Sequence, residues 1–405
     1  MAKIVLVNKF YYNRGGDFTA MQSTEQLLKA KGHEVAVFSM KYGKNFPSEW
    51  ESYFPDEICF FSRQNLSNMK RAVSRLFRPQ DVVKKFNILL NDFKPDVLHL
   101  HNIHSYISPV VAEIAHQKGI RVVWTLHDYK LICPAYTCLR NGEICERCFT
   151  GKANVFVNKC MKNSYLTSFF GWIEAICWNK EVLTKITDRF ISPSRFLKTK
   201  MTEAGYPAEK IEVIPNFMPP QFNPAISKKD YYCYVGRISE EKGIDTLLKA
   251  AAQLPYSLKV IGGGPLLEAF RSEFTQKNID FLGHLPLEKV YEIVREARCV
   301  VLPSVWYENN PFSVIEALNM GTPVLGARIG GIPELIEEGV NGFLFTPKNI
   351  PDLKKKIELC FSHFHDKFDF EKITEQAQNK FSPETFYKKL IEIYDISVSQ
   401  PSVGK

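Results

Sequence analysis

The sequence predicts an α/β protein made of two doubly wound, parallel-sheet domains. Three observations predict it: strand and helix patterns alternate almost throughout, the alternation restarts near residue 231 after a proline-rich stretch at 215–224, and 405 residues suit two to three domains. A hydrophobic content of 45% with 24% charged residues fits a chain that buries a real core, and excludes long disorder or a collagen-like fibre. The longest apolar runs, such as 4–7, fall far below the roughly 18 residues that a membrane span needs. Lys3 and Lys9 bracket that run, so no signal-peptide core is read there and a cytoplasmic protein is expected.

The first half reads as strand 3–8, helix 19–31 closed by Gly32, strand 33–40, helix 81–93, strand 96–101, helix 109–118, strand 120–126, strand 189–192, helix 195–204 and strand 211–214. The second half reads as strand 231–235, helix 244–254, strand 258–261, helices 266–277 and 287–297, strand 299–302, helix 311–320 and strand 323–326. The expected organisation is a domain over 1–220, a second over 221–381, and a terminal segment 382–405 whose helix packs back on the first domain. Such sheets bind ligands beyond the carboxyl ends of their strands, so informative residues should lie just after strands.

Charge and cysteine are unevenly spread. Residues 1–216 carry a net +10 and the remainder −2, which invites an anionic partner for the first half. Five of the ten cysteines (Cys133, Cys138, Cys145, Cys148 and Cys160) fall within 28 residues. In a cytoplasmic chain, clustered cysteines point to metal or redox chemistry rather than to disulfides.

In the second half, Gly236 and Arg237 follow a strand, and Lys242 precedes the next helix. A glycine that admits a ligand to the backbone, flanked by two cations at a helix start, suits phosphate. Gly262, Gly263 and Gly264 end the next strand, where a diphosphate could also approach the chain. In Glu308–Glu316, Asn310 is expected as the N-cap and Pro311 as the first helical residue, which would leave the N–H groups of Phe312, Ser313 and Val314 for phosphate oxygens. Two carboxylates beside a phosphate site would repel it, but they accept hydrogen bonds well from vicinal hydroxyls. A sugar nucleotide satisfies both halves of that description.

These motifs, with Phe281–His284, Gly321–Val324 and Gly330–Glu334, resemble the retaining glycosyltransferases of family 4, which have the GT-B fold. The resemblance covers nearly the whole chain. It implies that Arg237 and Lys242 hold the donor diphosphate, Glu316 the ribose hydroxyls and Glu308 the transferred sugar. It places Leu285 beside the nucleobase, and gives Gly236, Gly263, Gly264 and Asn310–Ser313 donor contacts. In the first half, Gly15 and Gly16 match the family's glycine loop, and His127 matches a histidine that touches the donor sugar. Asp17 receives no role, and Asn102 is placed toward the acceptor. His99, His101 and His104 form a further group, the first two on one side of their strand. A front-face retaining reaction needs no dedicated protein base and no divalent metal at the diphosphate.

The cysteines depart from the minimal family pattern, although some bacterial relatives carry a similar insertion after His-Asp. Residues 133–160 are expected to hold a structural zinc through Cys133, Cys145, Cys148 and Cys160, with Cys138 as an alternative ligand. An iron–sulfur centre and reduced, unligated thiols are the other readings. Basic residues at 63–85 and aromatic residues at 166–183 suit a glycan or polyprenyl-diphosphate-linked acceptor at the inner membrane face. The expected activity is transfer of a sugar from a UDP- or GDP-linked donor in surface polysaccharide synthesis. A nucleotide-sugar epimerase and a zinc-containing nucleic-acid-binding protein are the competing readings. The two carboxylates speak against the latter, so no nucleic-acid partner is expected.

Overall fold

The computed structural model describes residues 1–58, 71–218, 223, 227–362 and 368–396. The basic segment noted at 63–85 therefore lies partly outside the described residues. The chain forms two compact units: one of residues 1–138, 146–215 and 386–405, the other of residues 139–145 and 216–385.

Unit 1 is a six-stranded parallel sheet in the order β2-β1-β3-β4-β7-β8. Its strands are β1 (Lys3–Val7), β2 (Glu34–Phe38), β3 (Val97–Leu100), β4 (Arg121–Thr125), β7 (Arg189–Ser192) and β8 (Ile211–Val213). Four of the five residues of β1 and all four of β3 are buried, as expected of strands covered on both faces. The connecting helices are α1 (Gly16–Ala30), α2 (Gln80–Phe93), α3 (Val110–Gln117), α4 (Asn154–Val157), α5 (Tyr165–Cys177), α6 (Lys180–Ile186) and α7 (Arg195–Glu203). Helix α1 starts at Gly16, three residues before the expected start, so Asp17 sits in its first turn, where a negative charge is favoured.

Unit 2 repeats the architecture in the order β11-β10-β9-β12-β13-β14. Its strands are β9 (Tyr231–Val235), β10 (Ser257–Ile261), β11 (Ile279–Gly283), β12 (Val300–Leu302), β13 (Val324–Ala327) and β14 (Gly342–Phe345). Its helices include α8 (Ile244–Ala251), α9 (Leu267–Glu273), α10 (Leu287–Glu296), α11 (Phe312–Asn319), α12 (Ile350–Ser362) and α13 (Phe370–Lys380). A short hairpin, β5 (Leu139–Arg140) with β6 (Glu143–Ile144), also belongs to this unit. Lys348 holds that hairpin through Gly142 O at 2.8 Å and Glu143 at 2.6 Å.

In each sheet the strand order reverses at one place, between β1 and β3 in unit 1 and between β9 and β12 in unit 2. A crevice opens beyond the carboxyl ends of the strands at such a point, which locates one candidate site per unit.

From Phe386 onward the last helix, α14 (Pro383–Tyr394), belongs to unit 1. Tyr387 hydrogen-bonds His33 Nε2 at 2.8 Å, and the buried Tyr394 hydroxyl meets His99 Nδ1 at 2.7 Å. Arg121 Nε donates to Ile393 O at 2.9 Å. The amphipathic pattern of the terminal segment thus serves the first sheet. Tyr394→Phe strips a buried histidine nitrogen of its partner and should lower the unfolding free energy by about 1–3 kcal/mol in urea titrations. An unchanged midpoint would mean that this helix does not anchor the sheet.

Candidate active site

Unit 2 builds its site from two backbone sutures. Gly236 N donates to Ile261 O at 3.0 Å, Ile238 N to Gly263 O at 2.9 Å and Gly262 N to Gly283 O at 2.8 Å. The loops after β9, β10 and β11 are thereby fixed side by side. Gly262 has φ +128° and faces the Gly236 carbonyl so closely that no Cβ fits. The glycines thus have a packing reason that the ligand alone does not supply. His284 fills the space beside Gly263, and Leu285 packs against the unit's core.

Arg237 projects from this platform. The Tyr234 hydroxyl fixes its carbonyl at 2.6 Å, while its guanidinium is two-thirds exposed and lies 3.9 Å from Glu241. Lys242 behaves differently. Its ammonium donates to Glu308 Oε1 at 2.7 Å and lies 5.1 Å from the centre of the Trp306 ring. Ser304 Oγ at 2.7 Å and Trp306 Nε1 at 2.9 Å donate to the same oxygen. Three donors on Oε1 fix the carboxylate plane, and none of the three occupies Oε2. Burial alone would raise this carboxyl, but the Lys242 charge and these hydrogen bonds outweigh it and hold Glu308 below its usual 4.5. The Glu308 carbonyl accepts from Gly331 N at 2.6 Å, and Gly330, at φ +62°, turns the chain directly over it.

The start of α11 departs from the expected capping. Pro311, not Asn310, is the N-cap, and it contributes no side-chain bond. Asn310 Oδ1 instead accepts from Asn216 N at 2.8 Å, and Asn216 Nδ2 donates to Asn310 O at 2.9 Å. The side-chain amide is spent on tying this loop to residue 216. Val314 N bonds Pro311 O at 3.1 Å, so Phe312 and Ser313 are the remaining N–H donors of the three expected. Glu316 lies on the same helix, and burial pushes its carboxyl up to about 7. Burial, and after it the charge of Glu316, raises the Tyr291 hydroxyl.

In unit 1 the crevice gathers groups from three strand ends. Lys9 N donates to Asn102 O at 2.9 Å, and Asn102 N to Asn8 Oδ1 at 3.0 Å, which ties the loops after β1 and β3. Asn102 Nδ2 donates to Asp128 Oδ2 at 3.2 Å. His127 Nε2 lies 2.9 Å from His101 Nδ1 with the rings stacked, and His99 lies on the same side as His101, their ring centres 4.4 Å apart. His104 instead stacks on Trp124. Burial lowers His127 to about 4, with Asp17 opposing and Lys9 assisting, so its imidazole is neutral at pH 7. Gly15 and Gly16 open α1, and Asp17 beside them acts electrostatically on Lys9, His127 and Asp128. Lys9, Asp17, Asp128 and His101 were not singled out as site residues from the sequence. Their common signal is position, since each follows a strand end or opens the helix beyond one.

Cys138, the alternative to the expected set, lies with Cys133 and Cys148. Cys133 hydrogen-bonds the thiols of Cys138 and Cys148, and Cys160 acts on Cys148 electrostatically. The hydrogen bonds received by the Cys133 sulfur hold it at about 3. Cys145 follows β6 in the segment that belongs to unit 2. Among the described residues, no group of three or more His, Cys, Asp and Glu side chains is placed to hold a metal ion.

Residues 15–222 match the family model described as Glycosyltransferase Family 4, and residues 220–377 match Glycosyl transferases group 1. The chain belongs to glycosyltransferase family 4. An uncharacterized 42.6 kDa protein from the cps region of Klebsiella pneumoniae is 26% identical over 92% of this chain and 98% of its own length. An uncharacterized glycosyltransferase of Methanocaldococcus jannaschii is 22% identical over 98% of both chains. Among solved structures, Anabaena HepE in complex with UDP and glucose superposes with TM-score 0.69 at 18% identity, over 98% of this chain and 100% of that one. Sucrose-phosphate synthase from Thermosynechococcus elongatus gives 0.72 at 19% identity over 98% of both. Both support the GT-B glycosyltransferase fold.

Lys242→Met leaves the Glu308 carboxylate buried without its cation. It should destabilise the protein by about 3 kcal/mol at pH 7, and Glu308→Gln in the same background should restore part of that loss. Because Glu308 sits below 4.5 in the folded protein, the pair's contribution is complete above that pH and fades as pH falls through the folded value. Chemical denaturation of the two variants at pH 7 and pH 4 checks both statements. Equal stability of wild type and Lys242→Met at pH 7 would contradict them.

Proposed function

We propose that this family 4 glycosyltransferase moves a sugar from a UDP- or GDP-linked donor to a glycan or lipid-linked glycan, with retention at the reacting carbon, in surface polysaccharide synthesis. The single observation that carries the donor assignment is the contrast at the strand ends of unit 2. Arg237 extends from a backbone platform into solvent, whereas Lys242 is held by the buried Glu308 carboxylate. A diphosphate supplies the negative charge that such a guanidinium lacks. The solved complexes of HepE with UDP and with UDP-glucose support the class of donor. The cps-region relative from Klebsiella supports the biosynthetic setting.

In this reading Arg237 and Lys242 hold the diphosphate, and Phe312 and Ser313 offer backbone N–H groups to it. Glu308 presents Oε2 to the hydroxyls of the transferred sugar, its other oxygen being held by three donors. Glu316 accepts from the ribose hydroxyls. The bond from the anomeric carbon to the diphosphate breaks, the acceptor oxygen bonds that carbon from the same face, and the acceptor proton passes to the departing phosphate oxygen. Arg237 and Lys242 stabilise the charge on the nucleotide as it leaves, so turnover requires no divalent cation. Gly15, Gly16 and the neutral His127 are assigned to the donor's phosphates and sugar, and Asn102 to the acceptor.

Arg237→Ala should lower turnover by about a hundredfold or more while leaving the melting temperature unchanged, because this side chain contributes electrostatics rather than packing. Retained turnover would remove the phosphate assignment, and donor consumption without acceptor that yields an epimer would replace transfer by epimerisation. Binding should also report Glu316. A nucleotide-sugar diphosphate has no ionisation near neutrality, and an ionised Glu316 is the better acceptor of two hydroxyl bonds. Affinity for UDP-glucose should therefore rise by up to about tenfold from pH 6 to pH 8 in wild type and stay flat in Glu316→Gln. Titration calorimetry at the two pH values checks it, and equal slopes for the two proteins would contradict the ribose assignment.

A further inference from the structure

Helix α5 is packed inside out. Its buried residues are Ser168, Gly171 and Glu174, spaced by three so that they share one face. The opposite face presents Tyr165, Leu166, Phe169 and Ile176 to solvent, with Leu166 66% and Tyr165 55% exposed. A surface helix of a globular protein normally does the reverse.

The inward polar face is well satisfied, so the orientation is built in. Glu174 accepts from Ser105 N at 2.8 Å and Ser105 Oγ at 2.9 Å, and pairs with Lys130 at 2.8 Å. Ser168 Oγ accepts from Met161 N at 3.0 Å, and Met161 lies where a Cβ on Gly171 would go. Turning the helix over would strand Glu174, Lys130 and Ser105 together. Helix α4 extends the outward patch. Phe156 meets the rings of Tyr165, Phe169 and Trp172, and Val157 is 65% exposed. Five of the eleven large hydrophobic side chains exposed among the described residues lie between Val157 and Ile176.

Charge decides what covers this patch. From Val157 to Ile173 the chain contains Lys159 and Lys162 and no Asp or Glu. Lys159 Nζ lies 4.3 Å from the centre of the Tyr165 ring, at the edge of the apolar face. A second copy meeting this patch about a twofold axis would set the same cations against one another with no acid to answer them. An anionic surface of low polarity meets both requirements. No helix among the described residues is long and apolar enough to cross a membrane. Helix α5, about 20 Å long, has the length and composition to lie in the plane of an interface, aromatic side down.

We propose that the outward face of α5, with Val157 of α4, is a docking surface for an anionic lipid bilayer. The inference stands apart from the donor assignment, because it concerns neither the nucleotide site nor turnover. The test is flotation of the full chain with vesicles of phosphatidylcholine, with and without phosphatidylglycerol, read as the fraction bound. Wild type should float with the anionic vesicles and far less with the neutral ones. Leu166→Glu with Phe169→Glu should weaken that binding roughly tenfold or more. Removing Lys159 or Lys162 should weaken it by about fivefold each. An unchanged melting temperature and far-UV circular dichroism spectrum confirm that the variants are folded. Three results would overturn the proposal: no flotation of wild type at low salt, flotation unchanged in Leu166→Glu with Phe169→Glu, or a wild-type dimer in sedimentation velocity that the same pair of substitutions dissolves.

Discussion

The ion pair between Lys242 and Glu308 is the constraint on which the second unit's site depends. It joins residues 66 positions apart, at the carboxyl ends of the two strands where the sheet order reverses. A carboxylate as buried as Glu308 would be costly alone, and the ammonium, a serine hydroxyl and an indole N–H together offset that cost. The same carboxylate's backbone carbonyl fixes the turn at Gly330 and Gly331. One residue therefore anchors both the Lys242 ammonium and the turn at Gly330 and Gly331, while the Arg237 guanidinium stays largely in solvent. In the proposed reaction this division has a purpose: one cation is held in place before the donor arrives, and the other is available to meet it.

The first unit handles buried charge by the same logic with other residues. Burial lowers the Lys9 ammonium, and the charges of Asp17 and Asp128 oppose that shift. His99, His101 and His127 are all pushed down by burial, which keeps three adjacent imidazoles neutral and allows their rings to pack together without repulsion. Glu174 and Lys130 form a further internal pair, and its position turns the apolar side of α5 outward. A buried polar contact in the interior thus determines what the exterior offers.

Much of this was legible in the sequence because it follows from short-range pattern. Buried strands ended by Gly236 or by Gly262–Gly264 are visible as apolar runs closed by glycine, and strand-end chemistry follows from the parallel sheet. What was hidden required knowledge of distant partners. Nothing near Lys242 announces that it pairs with Glu308, and Asn310, a good N-cap by type, is diverted to Asn216 by a contact 94 residues away. The spacing of Cys145 and Cys148 suggested one pair of ligands, whereas the fold places Cys133 against Cys138 and Cys148. The aromatic residues of 166–183 were visible as a group, but periodicity alone does not say which side of a helix faces the core. Ser168, Gly171 and Glu174 decide that, and only through Ser105, Lys130 and Met161.

The central claim is that the strand ends of the second unit bind the diphosphate of a nucleotide sugar. A crystal structure of the protein with UDP-glucose tests it most directly. The account predicts diphosphate oxygens within hydrogen-bond distance of Arg237 and Lys242, with the ribose hydroxyls on Glu316 and a sugar hydroxyl on Glu308 Oε2. A nucleotide bound elsewhere, or a diphosphate held through a divalent cation with Arg237 still in solvent, would contradict it.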